Sequence, residues 1–396
     1  MNKIRLSILS IIILSLIRIS HGAERQDSLI VSFLTCNPGA EVYELCGHEA
    51  VRIRGIGPEG EKIDSVWNYG TFDFNQPNFI YRFVKGETDY MLSAYPFAWF
   101  MPEYRATGRS VYEQDLNLNS DEALRLLTLL RQEAQPENRV YRYNYVKDNC
   151  ATRILDRLDQ SLSRHVIYPD TVAYATLRDE MRSYHKDYPW YQFGIDLALG
   201  SGIDYKLSGR EDMFVPIEMM HKIEKARIPD GRPLVKASRV LNQGTEDATL
   251  GPGNPWLTPI VISWLFFTGV AIACIYMWRK RKIMRWIYSL WFTLCGLTGC
   301  LLTFLIYISS HEATSPNLLF LWLNPLQLVI GVGIWFRSWR PAVTAMIICE
   351  VLAMIILLTV WPWQPQSANP AFFPLMGATL LMAIDYAIIA RKTSYL

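Results

Sequence analysis

Apolar positions change their spacing three times along the chain, and each change predicts a different kind of structure. The first 22 residues, MNKIRLSILSIIILSLIRISHG, place Lys3 and Arg5 before an apolar run that closes on small residues, as a secretory signal does. From position 28 onward, short alternating runs bounded by turn residues predict strands over 28–36, 48–55, 63–70, 88–96, 110–118 and 139–146. The turn IGPEGEK joins the second and third of these, so that His48 falls opposite roughly Asn68 or Tyr69 on an antiparallel neighbour. Helical spacing appears at 97–108, stopped by Gly108, and at 121–134, where Asn119 and Glu122 form a start signal. A further helix begins behind Asp148 or Asn149, with Ile154, Leu155 and Leu158 facing inward.

Beyond about 165 the pattern becomes short helices and loops, and 229–255 is polar enough to read as a linker. From Trp256 the spacing changes again. Five apolar stretches, about 256–278, 284–308, 317–336, 341–361 and 371–390, are each close to the roughly 20 residues a membrane-crossing helix needs. Their connections alternate: 278–285, 337–340 and 390–392 are basic, while 309–317 and 361–370 hold no Lys or Arg. Since Lys and Arg stay on the cytoplasmic side, the bundle starts outside and ends inside. The expected organisation is therefore a signal peptide (1–22), an extracytoplasmic α+β domain (23–228), a linker (229–255) and an all-α bundle of five transmembrane helices (256–396).

A net charge of +2 with no basic face outside the cytoplasmic loops excludes a nucleic-acid partner. Four of the seven cysteines fall in predicted membrane helices, leaving Cys36, Cys46 and Cys150 outside, an odd number with at least one free thiol. Cys36 and Cys46 are close enough in sequence to pair across a turn. Spacings typical of zinc ligands are absent, as are G-x-S-x-G and a phosphate-binding loop, so neither a metal, a nucleotide cofactor nor a serine hydrolase is expected.

The candidate chemistry lies in VKDNCATRIL, 146–155. A cysteine in the first turn of a helix feels the partial positive charge of unpaired N–H groups, which favours thiolate and offers donors to an oxyanion. The plainer account of Cys150 is a packed structural residue. His48, on a predicted strand, supplies the base that a nucleophilic thiol requires, and Asn68 on the adjoining strand could orient the imidazole. Tyr69 and Asp73 are the alternatives, because a one-residue slip exchanges faces. Tyr69, Asn149 and His311 are the candidates for substrate contact, the last in an outer loop with Glu312. His165, His185 and His221 sit in polar contexts that predict surface positions. Glu350 and Asp385 fall inside predicted membrane helices, where an ionisable group either serves function or bonds a neighbouring helix. Trp256, Trp361 and Trp363 fit an interfacial aromatic belt.

Taken together, LTCNPGAEVYELCGHEAVRI, WNYGTFDF, FVKGETDYML, YRATGRSVYEQDLNL and YRYNYVKDNCATRILD, with NLLFLWLNPL in the membrane half, resemble the Lnb-type lipoprotein N-acyltransferase family. The order of a histidine strand before an Asn-Cys helix also resembles circularly permuted papain-like thiol folds, including relatives of lecithin-retinol acyltransferase. The resemblance implies His48 and Cys150 as the catalytic pair, and leaves the third member open. Cys46 departs from the aromatic expected before the Gly-His pair. It further implies transfer of an acyl chain through a Cys150 thioester to the α-amine of the lipidated N-terminal cysteine of bacterial lipoproteins. Membrane phospholipid is a possible donor, and the expected location is the inner membrane with the catalytic domain on the periplasmic side. The rival readings are a membrane-anchored cysteine peptidase or amidase of cell-wall peptides and a non-catalytic lipoprotein-binding protein.

Overall fold

Seven strands drawn from positions 30 to 242 form one antiparallel sheet in a computed structural model, which describes residues 29–392 apart from 163, 246–248, 250 and 252. The predicted signal peptide lies outside the described residues. In chain order the outer elements are β1 (Ile30–Cys36), β2 (His48–Ile56), β3 (Lys62–Phe72), α1 (Phe79–Lys85), β4 (Asp89–Pro96), α2 (Phe97–Ala106), β5 (Val111–Leu116), α3 (Ser120–Glu133), β6 (Val140–Arg142) and α4 (Cys150–Leu162). Three short helices follow, α5 (Leu177–Tyr184), α6 (Pro189–Ala198) and α7 (Pro216–Ile223), and then β7 (Val235–Asn242). The strand order across the sheet is β6-β4-β3-β2-β1-β5-β7.

Alternation along β2 and β3 divides the core in two. Val51, Ile53 and Trp67 face α3 and α4, whose Leu126, Leu127, Ile154, Leu155 and Leu158 cover them. Leu34, Ala50 and Val66 face the other way, against Phe100, Met101 and Tyr104 of α2. Each face is thus closed by helices whose apolar residues recur at helical spacing, as the sequence predicts. The start of α3 carries both halves of a capping box, Asn119 accepting from the Glu122 amide and Glu122 accepting from the Asn119 amide.

Two outer elements depart from expectation. The 229–255 stretch is more than a linker: β7 lies inside it and pairs antiparallel with β5 at the edge of the sheet. Five of its eight residues are exposed and none is buried, which removes the apolar alternation that would have marked it, and Arg239 instead pairs with Glu113 and Asp115 of β5. The second is α1, a helix that buries none of its own residues and leaves Ile80, Tyr81 and Phe83 exposed.

Among the described residues, four helices are long and apolar enough to cross a membrane: α8 (Pro259–Lys280), α9 (Arg285–Tyr307), α11 (Arg340–Val360) and α12 (Phe372–Lys392). The stretch expected as the third crossing, 317–336, is broken into a 3₁₀ turn at Leu318–Leu321 and the seven-residue α10 (Gln327–Gly333). It still crosses. The end of α9 and the end of α11 both lead into loops that touch the outer domain, so the chain between them must return to the inner side. Irregular backbone at that depth is tolerable only where protein covers it. Here Gly299 and Gly296 of α9 provide the groove: a Cβ on Gly299 would collide with the Asn324 backbone, and one on Gly296 would meet Leu328 at 2.8 Å. The two intramembrane acids bond neighbouring elements, Glu350 accepting from Asn324 Nδ2 at 3.4 Å and Asp385 from the Tyr288 hydroxyl at 2.7 Å.

The outer domain is seated on the bundle through α5, α6 and the turn behind them. Phe193 of α6 packs edge-on against Phe372 of α12, and Asn317 Nδ2 donates to the Leu197 carbonyl at 3.0 Å. Buried Asp196 joins Arg178 and Arg182 and also accepts from Asn369 Nδ2 at 3.0 Å, tying the loop before α12 to the domain. The amides of Gly200 and Ser201 donate to the carbonyls of Ala313 and Pro316. His185, expected at the surface, is fully buried here, its Nδ1 donating to Gln192 at 2.7 Å.

Candidate active site

The β2–β3 ladder runs from the Ile56–Lys62 turn only as far as Val51 and Trp67, although both strands continue beyond it. The two strands therefore part at His48–Ala50 and Asn68–Gly70, and α4 begins against this fork. On the β2 side, Gly47 holds a φ of +79°, and a Cβ there would collide with the Cys36 carbonyl oxygen. The Gly-His pair is thus a backbone requirement, since an L side chain would be strained in this conformation. On the β3 side, a bulge between Asn68 and Thr71 with Gly70 at a φ of +88° turns Asn68 toward His48.

His48 Nε2 donates to the Asn68 side-chain oxygen, and Asn68 Nδ2 in turn donates to the Tyr95 hydroxyl at 2.9 Å. This fixes the imidazole tautomer, leaving Nδ1 as the free base. The register extrapolates to Gly70 opposite His48, so the Asn68 contact is diagonal. Surrounding protein strips water from the ring and pushes its pKa down to about 4, with the Asn68 bond opposing that shift and the Arg109 charge adding to it. At neutral pH the ring is an uncharged base.

Asn149 is the N-cap that orients Cys150. Its side-chain oxygen accepts from the amides of Ala151 and Thr152 at 2.9 and 3.0 Å, and its Nδ2 donates to the carbonyls of Tyr145 and Phe214. Asp148, the other capping candidate, instead pairs with Arg153 at 2.8 Å. Cys150 is buried, and the backbone N–H groups of Glu49, Ala151 and Cys150 itself reach its sulfur. Those donors favour thiolate, as expected of a helix start, but burial outweighs them and raises the thiol to about 11. The resting site holds a neutral thiol and a neutral imidazole.

The thiol meets β2 at the amide of Glu49, one residue from His48. Alternation turns His48, Asn68 and Tyr95 toward the α2 side of the sheet, whereas Cys150 arrives from the α4 side, and no hydrogen bond links sulfur to imidazole. Tyr69, expected near substrate, is buried on the α4 side and donates to Glu133. Asn149 is likewise buried and satisfied, a structural cap with no free donor for a substrate. His311 Nε2 donates to the Phe83 carbonyl at 2.9 Å, which places it at the junction of α1 with the loop after α9. Asp73 caps its own turn by accepting from the Asn75 amide. Cys36 and Cys46 are both free thiols, directed at different phenols: Cys36 bonds Tyr104, and Cys46 lies 3.0 Å from the Tyr145 hydroxyl.

Three residues of this neighbourhood escape sequence reasoning. Glu49 is a fully buried carboxyl accepting from Thr35 Oγ1 at 2.9 Å, held well above the usual carboxylate range by burial. Tyr95 supports Asn68. Arg109, buried between β5 and the loop before His48, donates to the Asn37 carbonyl at 2.8 Å and to Glu44 at 2.6 Å, and so pins that loop. The sequence signals for Glu49 and Arg109 are charges on otherwise apolar strand ends, which read as solvated until the fold encloses them. Among the described residues no group of His, Cys, Asp and Glu is arranged to hold a metal ion.

Comparison with known proteins adds the family. Residues 23–179 match the model of the Lnb N-terminal periplasmic domain, and residues 252–394 match that of the Lnb transmembrane domain. No curated protein and no solved structure matches the chain. With both domain models matched in order and the apolar helices where the second one lies, this chain is a multi-pass membrane protein with a periplasmic N-terminal domain and belongs to the Lnb family.

Proposed function

We propose that the chain is a thiol-dependent lipoprotein N-acyltransferase of the bacterial inner membrane, with Cys150 as nucleophile, His48 as proton carrier and Asn68 as the residue that orients it. One observation carries this reading: a helix-start cysteine meets the strand end that bears an Asn-held, uncharged imidazole, in a domain seated on the outer face of a membrane bundle. In the substrate complex the His48 ring moves from the α2 side through the fork, where β2 and β3 are unpaired, to bring Nδ1 within hydrogen-bond reach of the thiol. The imidazole takes the thiol proton as sulfur attacks an ester carbonyl of a membrane lipid. The tetrahedral oxyanion forms beside the sulfur, within reach of the Glu49 amide. Collapse breaks the ester C–O bond, the alkoxide takes the proton from imidazolium, and the acyl group remains on Cys150 as a thioester.

The α-amine of a diacylglyceryl-modified lipoprotein then attacks the thioester carbonyl. Its proton passes to His48 and on to the departing sulfur, which restores the thiol and yields the amide. Water competes with the amine for this thioester, so a buried sulfur at a membrane surface suits transfer better than hydrolysis. A soluble donor would require no bundle.

The test is mass spectrometry of lipoprotein N-termini from cells carrying wild-type, Cys150→Ala or His48→Ala protein, combined with a search for a hydroxylamine-sensitive acyl group on Cys150. Loss of the amide-linked chain in both variants supports the reading. An unchanged N-terminal acyl chain with Cys150→Ala removes the thiol from the mechanism, and cleavage of wall peptides without any acyl-Cys150 would make the protein a peptidase.

A further inference from the structure

In α1 the periplasmic domain leaves Ile80 78% exposed, with Tyr81 and Phe83 more than half exposed beside it. The helix itself touches the membrane half. The Tyr81 ring lies 6.0 Å from that of Phe304 near the outer end of α9, Val84 packs into the apolar cluster of the bundle, and the Lys85 carbonyl accepts from the Ser310 amide. One end of α1 is therefore anchored at the outer surface of the bilayer.

From there, aromatic rings continue without a gap toward the thiol. Phe83 contacts Phe79, Phe79 stacks on Phe72 with 12° between planes, and Phe72 meets Tyr90 at 5.0 Å. Tyr90 stacks on Tyr143 at 4.4 Å. Tyr143 lies over Gly70, where an added Cβ would come to 3.5 Å from its ring, and it is close enough to Cys150 that negative charge on the sulfur raises its phenol pKa further. These five rings come from four separate segments of the chain, β3, α1, β4 and the loop before α4. Core packing does not demand the arrangement, since Phe83 is exposed and the other four are only partly buried.

We infer that the ring series Phe83–Phe79–Phe72–Tyr90–Tyr143 is the path of one lipid acyl chain, running from the outer leaflet beside α9 to the Cys150 thiol. The occupant is set by the two ends. A bilayer-anchored helix at one end and a buried sulfur at the other admit a molecule that is apolar along its length and carries an ester at its head. The chain lies with its ester carbonyl at Cys150 and its methyl end toward Phe83. Exposed aromatic area of this size is otherwise a liability in a periplasmic domain. This inference rests on the acyl-transfer reading and assigns its binding residues.

The test uses full-length Cys150→Ser protein in phosphatidylethanolamine vesicles doped with phospholipid carrying a photoreactive diazirine, placed in one preparation near the ester and in another near the methyl end. Peptide mass spectrometry then locates the crosslinks. The expected result is position-dependent: the ester-proximal probe marks Tyr143 and Tyr90, and the terminal probe marks Phe79 and Phe83. Equal labelling by both probes confined to Ile80, Tyr81 and Phe83 would mean that α1 merely rests on the bilayer, and would overturn the path. A second measurement compares chain lengths of the N-terminal acyl group made by wild type and by Phe72→Trp, which narrows the middle of the path; a shift of at least threefold toward shorter chains is expected, and an unchanged profile counts against it. Crosslinking needs no turnover. Absent crosslinks, with acyl-Cys150 found on the wild-type protein, would sink this inference alone, while crosslinks with no acyl-Cys150 on the wild-type protein would sink the acyl-transfer reading and leave a lipid site.

Discussion

The pH response of the proposed site depends on a single ring. His48 accepts a proton only when neutral, and burial sets its pKa at about 4. Activity should therefore be flat from about pH 5 to neutrality and fall as pH drops through about 4, well below the ordinary histidine range, as read from acyl transfer across a pH series. Asn68→Asp would place a negative charge where the neutral amide oxygen now sits, and an adjacent opposite charge raises an imidazole pKa by about 1–3 units. The acid limb should move up by that amount. A limb that stays near 4 in this variant would show that His48 is not the titrating base. His48→Ala should lower the transfer rate about 10²–10⁴-fold, the usual worth of a positioned base. Gly47→Ala should cost about 1–3 kcal/mol of stability in thermal denaturation, because a residue with a side chain must hold a positive φ and displace the Cys36 carbonyl.

At the level of elements, the cap on α4 and the groove in α9 make separate predictions. Asn149→Ala removes the acceptor for two buried amides, so a loss of about 1–2 kcal/mol is expected, with transfer falling more steeply because the helix start that carries the thiol frays. Gly299→Val should lower the melting temperature in detergent by displacing the Asn324 turn, whereas the same change at Gly269, which has open space around it, should be nearly neutral. Much of this architecture was legible in the sequence. β1 to β5, α3 and α4 fall within one or two residues of expectation, since a half-buried strand or amphipathic helix writes its period into the chain, and the Asn119–Glu122 signal became a capping box. What hid was whatever lacked a period. β7 faces solvent on an edge, α1 spends its apolar residues outside its own domain, and the third crossing is apolar but broken. The hairpin count put Asn68 or Tyr69 opposite His48, whereas the register puts Gly70 there and Asn68 reaches the ring diagonally; Tyr69 was a matter of strand face, which one residue of register decides.

Over the whole molecule, the two halves are locked by buried polar contacts: Asp196 of the outer domain binds Arg178, Arg182 and, across the junction, Asn369. Asp196→Ala leaves the Arg182 guanidinium without its carboxylate and Arg178 with Asp204 alone, and the periplasmic domain should become more sensitive to added protease while the helical bundle stays intact. Lys147→Ala, which breaks only an exposed pair with Glu312, should change protease sensitivity little, since such pairs contribute about 0–1 kcal/mol. The sulfur at the fork has a last consequence for life in the periplasm. Disulfide exchange and peroxide attack both require an ionised sulfur, and a thiol at about 11 supplies it to only ~10⁻⁴ of molecules at pH 7. On the proposed mechanism the idle site is then nearly inert to the oxidants around it, and reactivity appears only when a bound lipid brings the base to the thiol.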